Sequence, residues 1–274
     1  PLAPQLGGEE REMTIMFSDV RGFTTISEIY KDDPQGLITL MNGFLTPLTN
    51  AIIERNGTID KYMGDAIMAF WSAPIHDPSH ELNACEAALE MLDRVDRLNR
   101  EREQTAKENN TRFIPIHIGV GLNTGKCVVG NMGSDLRFGY SVLGDSVNLA
   151  SRLEGQCKSY GLPIIIGSRT ASIAKDKFAM LELDFIAVKG KKEPEVIYAI
   201  AGREDVDDGE GHQHQEDADA RISGGVPGVE RDVDARGLGL AHRGQRLRLL
   251  EEHLPPGRLR VAFVLHRPRA QDGL

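Results

Sequence analysis

The chain has 274 residues, 40% hydrophobic and 27% charged, enough for one substantial core or two small ones. A formal net charge of −9 excludes a general nucleic-acid binder, which needs a basic face, and leaves nucleotide specificity to a few local cations. Cys85, Cys127 and Cys157 are scattered without metal-type spacing, so they read as reduced thiols of a cytoplasmic setting rather than as disulfides.

Residues 1–10 read as the remnant of an upstream linker, because the chain starts at Pro1 rather than Met. No signal peptide is evident, and no apolar run approaches the roughly 18 residues of a membrane span. The expectation is a piece of a longer protein, with a sensor or membrane region upstream. Residues 13–18 form a short apolar strand, and a helix begins after Gly22 and runs over 23–30. Between 37 and 53, Leu37, Met41, Phe44, Leu45, Leu48 and Ile52 recur at three- and four-residue spacing, an amphipathic helix that Gly57 ends. Residues 58–62 and 66–71 form a hairpin around Met63-Gly64-Asp65.

The next helix covers 81–99, with Ala84, Ala87, Ala88, Met91, Leu92, Val95 and Leu98 on one broad face. Residues 114–123 and 126–132 read as two strands turned at Thr124-Gly125; 145–159 is a helix, and 164–166 is a buried strand. Residues 188–191 and 196–200 close the sheet. The order βα(α)ββαβ(β)αβ predicts an α+β sandwich, its sheet mixed but mostly antiparallel and its helices on one face.

Composition breaks near Gly202. Beyond it there is no Lys, Asn, Thr, Tyr or Met, while Arg, Gly, Asp and His abound. Residues 203–274 therefore read as a low-complexity tail, disordered or non-native, with marginal helix at 247–254. His212 and His214 could bind metal, but a solvated linker is the stronger reading, and no function is assigned to the tail.

Asp19 and Asp65 each stand at the boundary of an apolar run, with a Gly within three residues. Acids at strand ends beside tight turns can hold a divalent cation and a phosphate chain, and magnesium suits one or two carboxylates completed by water and phosphate. Taken alone, each is a solvated loop acid. The motifs around them change that weighting. Phe17-Ser18-Asp19-Val20-Arg21-Gly22-Phe23-Thr24, Lys61-Tyr62-Met63-Gly64-Asp65 and the stretch from Tyr140 through Gly144 and Asn148 to Arg152 occur in order. Together they resemble the catalytic domain of class III adenylate/guanylate cyclases, over residues 11–202.

That resemblance implies a ferredoxin-like βαββαβ core of the palm type, working as a head-to-tail homodimer with active sites at the interface. It implies an adenylate cyclase: the ribose 3′-hydroxyl of ATP attacks the α-phosphate in line and pyrophosphate leaves, assisted by two Mg²⁺ or Mn²⁺ per site. By resemblance, Asp19, Asp65 and the Val20 carbonyl hold the metals. Gly22, Phe23 and Thr24 offer backbone amides to the phosphates, though Gly22 also reads as an ordinary turn glycine.

The resemblance makes Asn148 the residue that orients the ribose and Arg152 the cation that stabilises the pentacoordinate phosphate, both from the partner subunit. Without the family, that pair is a solvated helix face. Arg137 and Lys189 are pyrophosphate candidates; Arg137 reads equally as a loop cation, whereas Val188-Lys189-Gly190-Lys191 matches the family motif closely. By the same resemblance, Lys61 is the donor to adenine N1, at the position where guanylate cyclases place Glu. Ser141 takes the position that is Asp in animal adenylate cyclases, as in the bacterial subgroup with Thr or Ser there. Serine can donate as well as accept, so discrimination against GTP is expected to be weaker. A guanylate cyclase is disfavoured by Lys61. A catalytically inactive regulatory module is disfavoured by the presence of Asp19, Asp65, Asn148 and Arg152 together.

Overall fold

Two long strands carry the architecture, β1 (Gly7–Val20) and β4 (Ile118–Ser134), paired antiparallel over β1's whole length. The computed structural model describes residues 7–134, 136–186 and 194–203, and three further strands between 229 and 266. After β1 come α1 (Phe23–Ile29), α2 (Pro34–Glu54), β2 (Thr58–Met63), β3 (Ala66–Trp71) and α3 (His80–Glu108), which leads into β4. Then follow β5 (Arg137–Leu143), α4 (Asp145–Tyr160), β6 (Ile164–Gly167), α5 (Ser168–Ala174), β7 (Phe178–Ile186) and β8 (Glu195–Arg203).

The sheet order is β2-β3-β1-β4-β6-β8-β7, with β5 on the distal half of β4. Every pairing in it is antiparallel except β4–β6. The run β1-α1/α2-β2-β3-α3-β4 has the order β2-β3-β1-β4, which is the ferredoxin-like βαββαβ arrangement.

Both faces of the sheet are covered, and this corrects the expectation of helices on one face. On β3, Ile67, Ala69 and Trp71 pack into the core beneath α2 and α3, while Met68 and Phe70 point the other way. That second face is covered by α4, whose Val147 and Ala150 belong to one buried cluster with Met68 and Phe70, and whose Leu149, Leu153 and Cys157 belong to another with Ile165 and Ile197.

Thr124-Gly125 is not a turn; β4 runs straight through it. The Thr124 hydroxyl is buried in hydrogen bonds with Thr14 and Thr170, and Gly125 leaves room for Ser146 Oγ, which stands 2.3 Å from where a Cβ would be. Residues 114–117, expected as strand, are tied instead to α3. Asn99 bonds both backbone groups of Ile116, and Arg102 bonds the Ile114 carbonyl.

The apolar stripe of α3 stops at Leu98, but polar i,i+4 pairs such as Glu103–Lys107 accompany the helix to Glu108. α2 ends in a Schellman arrangement whose left-handed residue is Asn56 (φ 62°), not Gly57. Gly57 is needed for proximity: a Cβ there would lie 2.8 Å from Trp71 and 2.5 Å from Ile52.

α2 is also long and apolar enough to cross a membrane by length and mean hydropathy (1.3), contrary to the sequence expectation. Here it packs one face inward: Phe44, Leu48, Ala51 and Ile52 are buried in the cluster shared with α3 and the sheet. The three cysteines are free and buried.

The chain divides into two units between Arg203 and Glu204. The second unit carries β9 (Val229–Asp232), β10 (Arg246–Glu251) and β11 (Ala262–His266) in the antiparallel order β11-β10-β9. Helix was expected over 247–254; the described part of that stretch pairs as a strand.

Candidate active site

Antiparallel register brings the two acids together. Ser18 lies opposite Ile67, so Asp19 at the end of β1 meets the start of β3, where the tight turn at Gly64 (φ 67°) presents Asp65. Asp19 and the Val20 backbone are close enough to act on the Asp65 carboxyl, Asp19 raising and Val20 lowering its pKa. Burial first, then Asp19's hydrogen bond and charge, push the Asp65 carboxyl from 3.8 up to about 6. Such a pair is short of one positive charge. Among the described residues no cluster of three or more His, Cys, Asp or Glu could hold a metal. Two adjacent carboxyl groups fit a hard divalent cation that takes few protein ligands and keeps water and phosphate.

This shift has a testable sign. A carboxyl raised above its unfolded value stabilises the fold below about pH 4 and loses that contribution as pH rises to about 6. In metal-free protein the melting temperature of Asp65→Asn should therefore pull ahead of wild type between those values. Millimolar magnesium should close the gap above pH 6. A gap independent of pH would mean that Asp19 and Asp65 do not share their charge as described.

Sequence reasoning missed Arg21 and Glu154. Arg21 Nη1 reaches Glu154 Oε1 on α4 at 3.3 Å, without a hydrogen bond of acceptable angle, and Nη2 meets the Glu154 carbonyl at 3.5 Å. Burial pushes the Glu154 carboxyl up; the charges of Asp19 and Asp65 add to this while Arg21 opposes it. The ion pair is possible because Gly119 leaves room, where a Cβ would stand 1.6 Å from Arg21 Nη2. No sequence spacing signals a contact spanning 133 residues.

Glu154 therefore faces its own chain's acids. Arg152, two residues earlier, is turned by about 200° around the helix. With Asn148 one turn back, it is exposed to solvent. Two cavities, of ≈ 590 and ≈ 450 Å³, lie by Glu12, and none of Asp19, Asp65, Lys61, Asn148 or Arg152 lines either. One chain thus offers a half-buried acid pair and, on the side of α4 away from Glu154, an exposed Asn148 and Arg152.

Lys61 on β2 and Ser141 on β5 are brought together, with Nζ to Oγ at 3.4 Å. Asp60, also missed, stands between them: Lys61 Nζ is 3.0 Å from Oδ1, and Ser141 Oγ donates to Oδ2 at 2.6 Å. Gly22 (φ 66°) caps α1, so its left-handed turn sets the Phe23 and Thr24 amides at the helix start. Arg137 is exposed at the start of β5, its backbone N–H on Ser134 Oγ at 3.3 Å. Lys189 lies outside the described residues.

Residues 8–202 match the family described as the adenylate and guanylate cyclase catalytic domain. The chain belongs to that family.

Among relatives of this cyclase domain is adenylate cyclase 1 of Rhizobium meliloti (strain 1021), 33% identical over 193 residues, 70% of this chain and 28% of the relative. The adenylate cyclase of Anabaena cylindrica is 38% identical over 197 residues, 69% of this chain and 37% of the relative. The cyclase domain thus spans well under half of either relative's length. Among solved structures, the guanylyl cyclase Cya2 superposes with a TM-score of 0.63 at 33% identity, covering 74% of this chain and 98% of that one. The adenylyl cyclase CyaB from P. aeruginosa gives 0.60 at 34%, covering 71% and 96%.

Proposed function

We propose that this cyclase domain converts ATP to 3′,5′-cyclic AMP and pyrophosphate as a head-to-tail homodimer with two interfacial sites. The observation that carries the reading is the meeting of Asp19 and Asp65 across the β1–β3 register, where burial first and then Asp19's hydrogen bond and charge raise the Asp65 carboxyl. Asp19, Asp65 and the Val20 carbonyl hold two Mg²⁺ or Mn²⁺, which when bound acidify the ribose 3′-hydroxyl and neutralise the triphosphate. The new bond joins O3′ to the α-phosphorus, the bond from that phosphorus to the oxygen bridging to the β-phosphate breaks, and the 3′-hydroxyl proton passes to water as pyrophosphate leaves.

The chain's own groups orient and stabilise this exchange. Asn148 and Arg152 come from the second copy; their orientation away from Glu154 suits them to a neighbouring chain's acids rather than their own. Asn148 orients the ribose. The Arg152 guanidinium meets charge that develops only on the pentacoordinate α-phosphate, so its contribution is larger in the transition state than in the bound substrate. Gly22, Phe23 and Thr24 offer amides to the phosphates; Arg137 and Lys189 receive the pyrophosphate. Lys61 donates to adenine N1 and Ser141 accepts from the adenine amino group. Acting on ATP, the domain works in the cytoplasm, and a sensor or membrane-bound region belongs to the longer protein.

The test is direct. Purified protein with magnesium or manganese should release cyclic AMP and pyrophosphate in equal amounts from ATP, and turn GTP over more slowly. Faster turnover of GTP would overturn the purine assignment. Binding of either nucleotide without product would favour an inactive regulatory module.

A further inference from the structure

We infer that Asp60 is the positioning residue that makes this purine pocket read adenine, by fixing which way Ser141 hydrogen-bonds. The inference rests on Lys61 and Ser141 being the purine-contacting pair. A serine there is ambiguous by itself, since a hydroxyl both donates and accepts. The structure removes the ambiguity. Asp60's side chain is 2% exposed, and its two oxygens each take one partner, Lys61 on Oδ1 and Ser141 on Oδ2. An ionised carboxylate only accepts, so the single Ser141 proton is committed to Asp60 at 2.6 Å. Ser141 then has only lone pairs to offer a base.

Local backbone geometry explains how consecutive residues serve one neighbour. Along a regular strand, Asp60 and Lys61 would point to opposite faces. β2 instead has a bulge: Ile59 pairs with Ala69 and Lys61 with Met68, so Asp60 is the extra residue. A bulge re-aims a side chain, and both groups here reach Ser141 on β5. The pocket then presents a donor, Lys61, and an acceptor, Ser141. Adenine offers the complementary pair at N1 and its amino group. Guanine offers a proton at N1 and an oxygen at C6, so both positions oppose it.

The experiment compares kcat/KM for ATP and for GTP in wild type, Asp60→Asn, Ser141→Ala and Lys61→Glu, using purified full chain. Asn at 60 has one acceptor and a new donor, so it cannot hold both partners, and the Ser141 proton becomes available to the guanine oxygen. The ATP:GTP ratio should fall roughly 10- to 100-fold, the range of a charge-assisted hydrogen bond. It should do so through a higher KM for ATP together with a gain on GTP. A merely structural role would lower both substrates alike, and that result, or an unchanged ratio, overturns the inference.

If Asp60→Asn does not fold, Ser141→Ala answers from the other side: it should lose ATP efficiency without gaining GTP. An unchanged ATP efficiency there overturns the inference as well. Lys61→Glu separates the two levels. If it leaves purine preference untouched, the pocket assignment itself fails and the role of Asp60 with it. If it shifts preference while Asp60→Asn does not, only the role of Asp60 fails.

Discussion

Asp19→Ala and Arg152→Ala proteins, each inactive alone, should regain cyclase activity when mixed. Loss of the guanidinium that meets transition-state charge is expected to cost roughly 10²- to 10³-fold in kcat, and loss of a metal carboxylate at least as much. In a freely exchanging two-fold dimer, half of the mixed population is heterodimer, and each heterodimer has one site built from two unmutated halves. Recovery should therefore approach about a quarter of the wild-type rate. The geometry behind this is the turn of α4 that aims Glu154 at its own chain's acids and leaves Arg152 exposed. Exchange can be verified with differently tagged copies. Verified heterodimers without activity would show that both halves of a site come from one chain.

Gly121→Val should strongly destabilise the fold. α4 sits so closely on β4 that a Cβ at 121 would stand 2.2 Å from the Glu154 backbone nitrogen and 2.4 Å from the Ala150 carbonyl oxygen. Backbone cannot rotate aside as a side-chain tip can, so the helix must lift from the sheet. Overpacking of this kind costs about 3 kcal/mol, a large part of a domain's total stability. Urea titration should show the loss directly. Gly43→Ala on α2, where nothing lies within 4 Å of the added methyl, is the control and should not lose stability. Equal stability of Gly121→Val and wild type would mean that α4 is not seated as described.

Much of this was legible beforehand where local pattern and chemistry coincide. The hairpin around Gly64 was, because two apolar runs flank a residue that tolerates positive φ. The span of α4 was legible from its ends. What pattern could not reveal was pairing over long separations. Thr124-Gly125 has turn composition, yet lies inside a strand because its hydroxyl and its missing Cβ are both used by residues distant in sequence. β5, α5 and β7 are short or partly exposed, so they carry little periodic signal.

The functional side chains show the same division. Asp19, Asp65, Asn148 and Arg152 sit in recognisable motifs, and the fold joins the first two through the β1–β3 register. Asp60 is adjacent to Lys61 in sequence, but only the bulge reveals that both act on one partner. Arg21 and Glu154 meet through room left by a glycine on a third element, which no one-dimensional spacing encodes.

The unbroken ladder between β1 and β4 links the position where the preceding chain enters to the carboxylate that closes the strand. Gly7 through Val20 are in continuous register with Asn131 through Ile118, without a bulge to absorb slack. At about 3.3 Å per residue, Gly7 and Asp19 are separated by roughly 40 Å of stiff strand. A displacement applied along the chain at Gly7 can only be carried whole, by sliding the register, or refused. Sliding by one residue would send every buried side chain of β1 into the packing of the opposite face, Met13 and Ile15 into the cluster of Met16 and the reverse. The strand therefore behaves as a strut, holding Asp19 still against tugging from upstream.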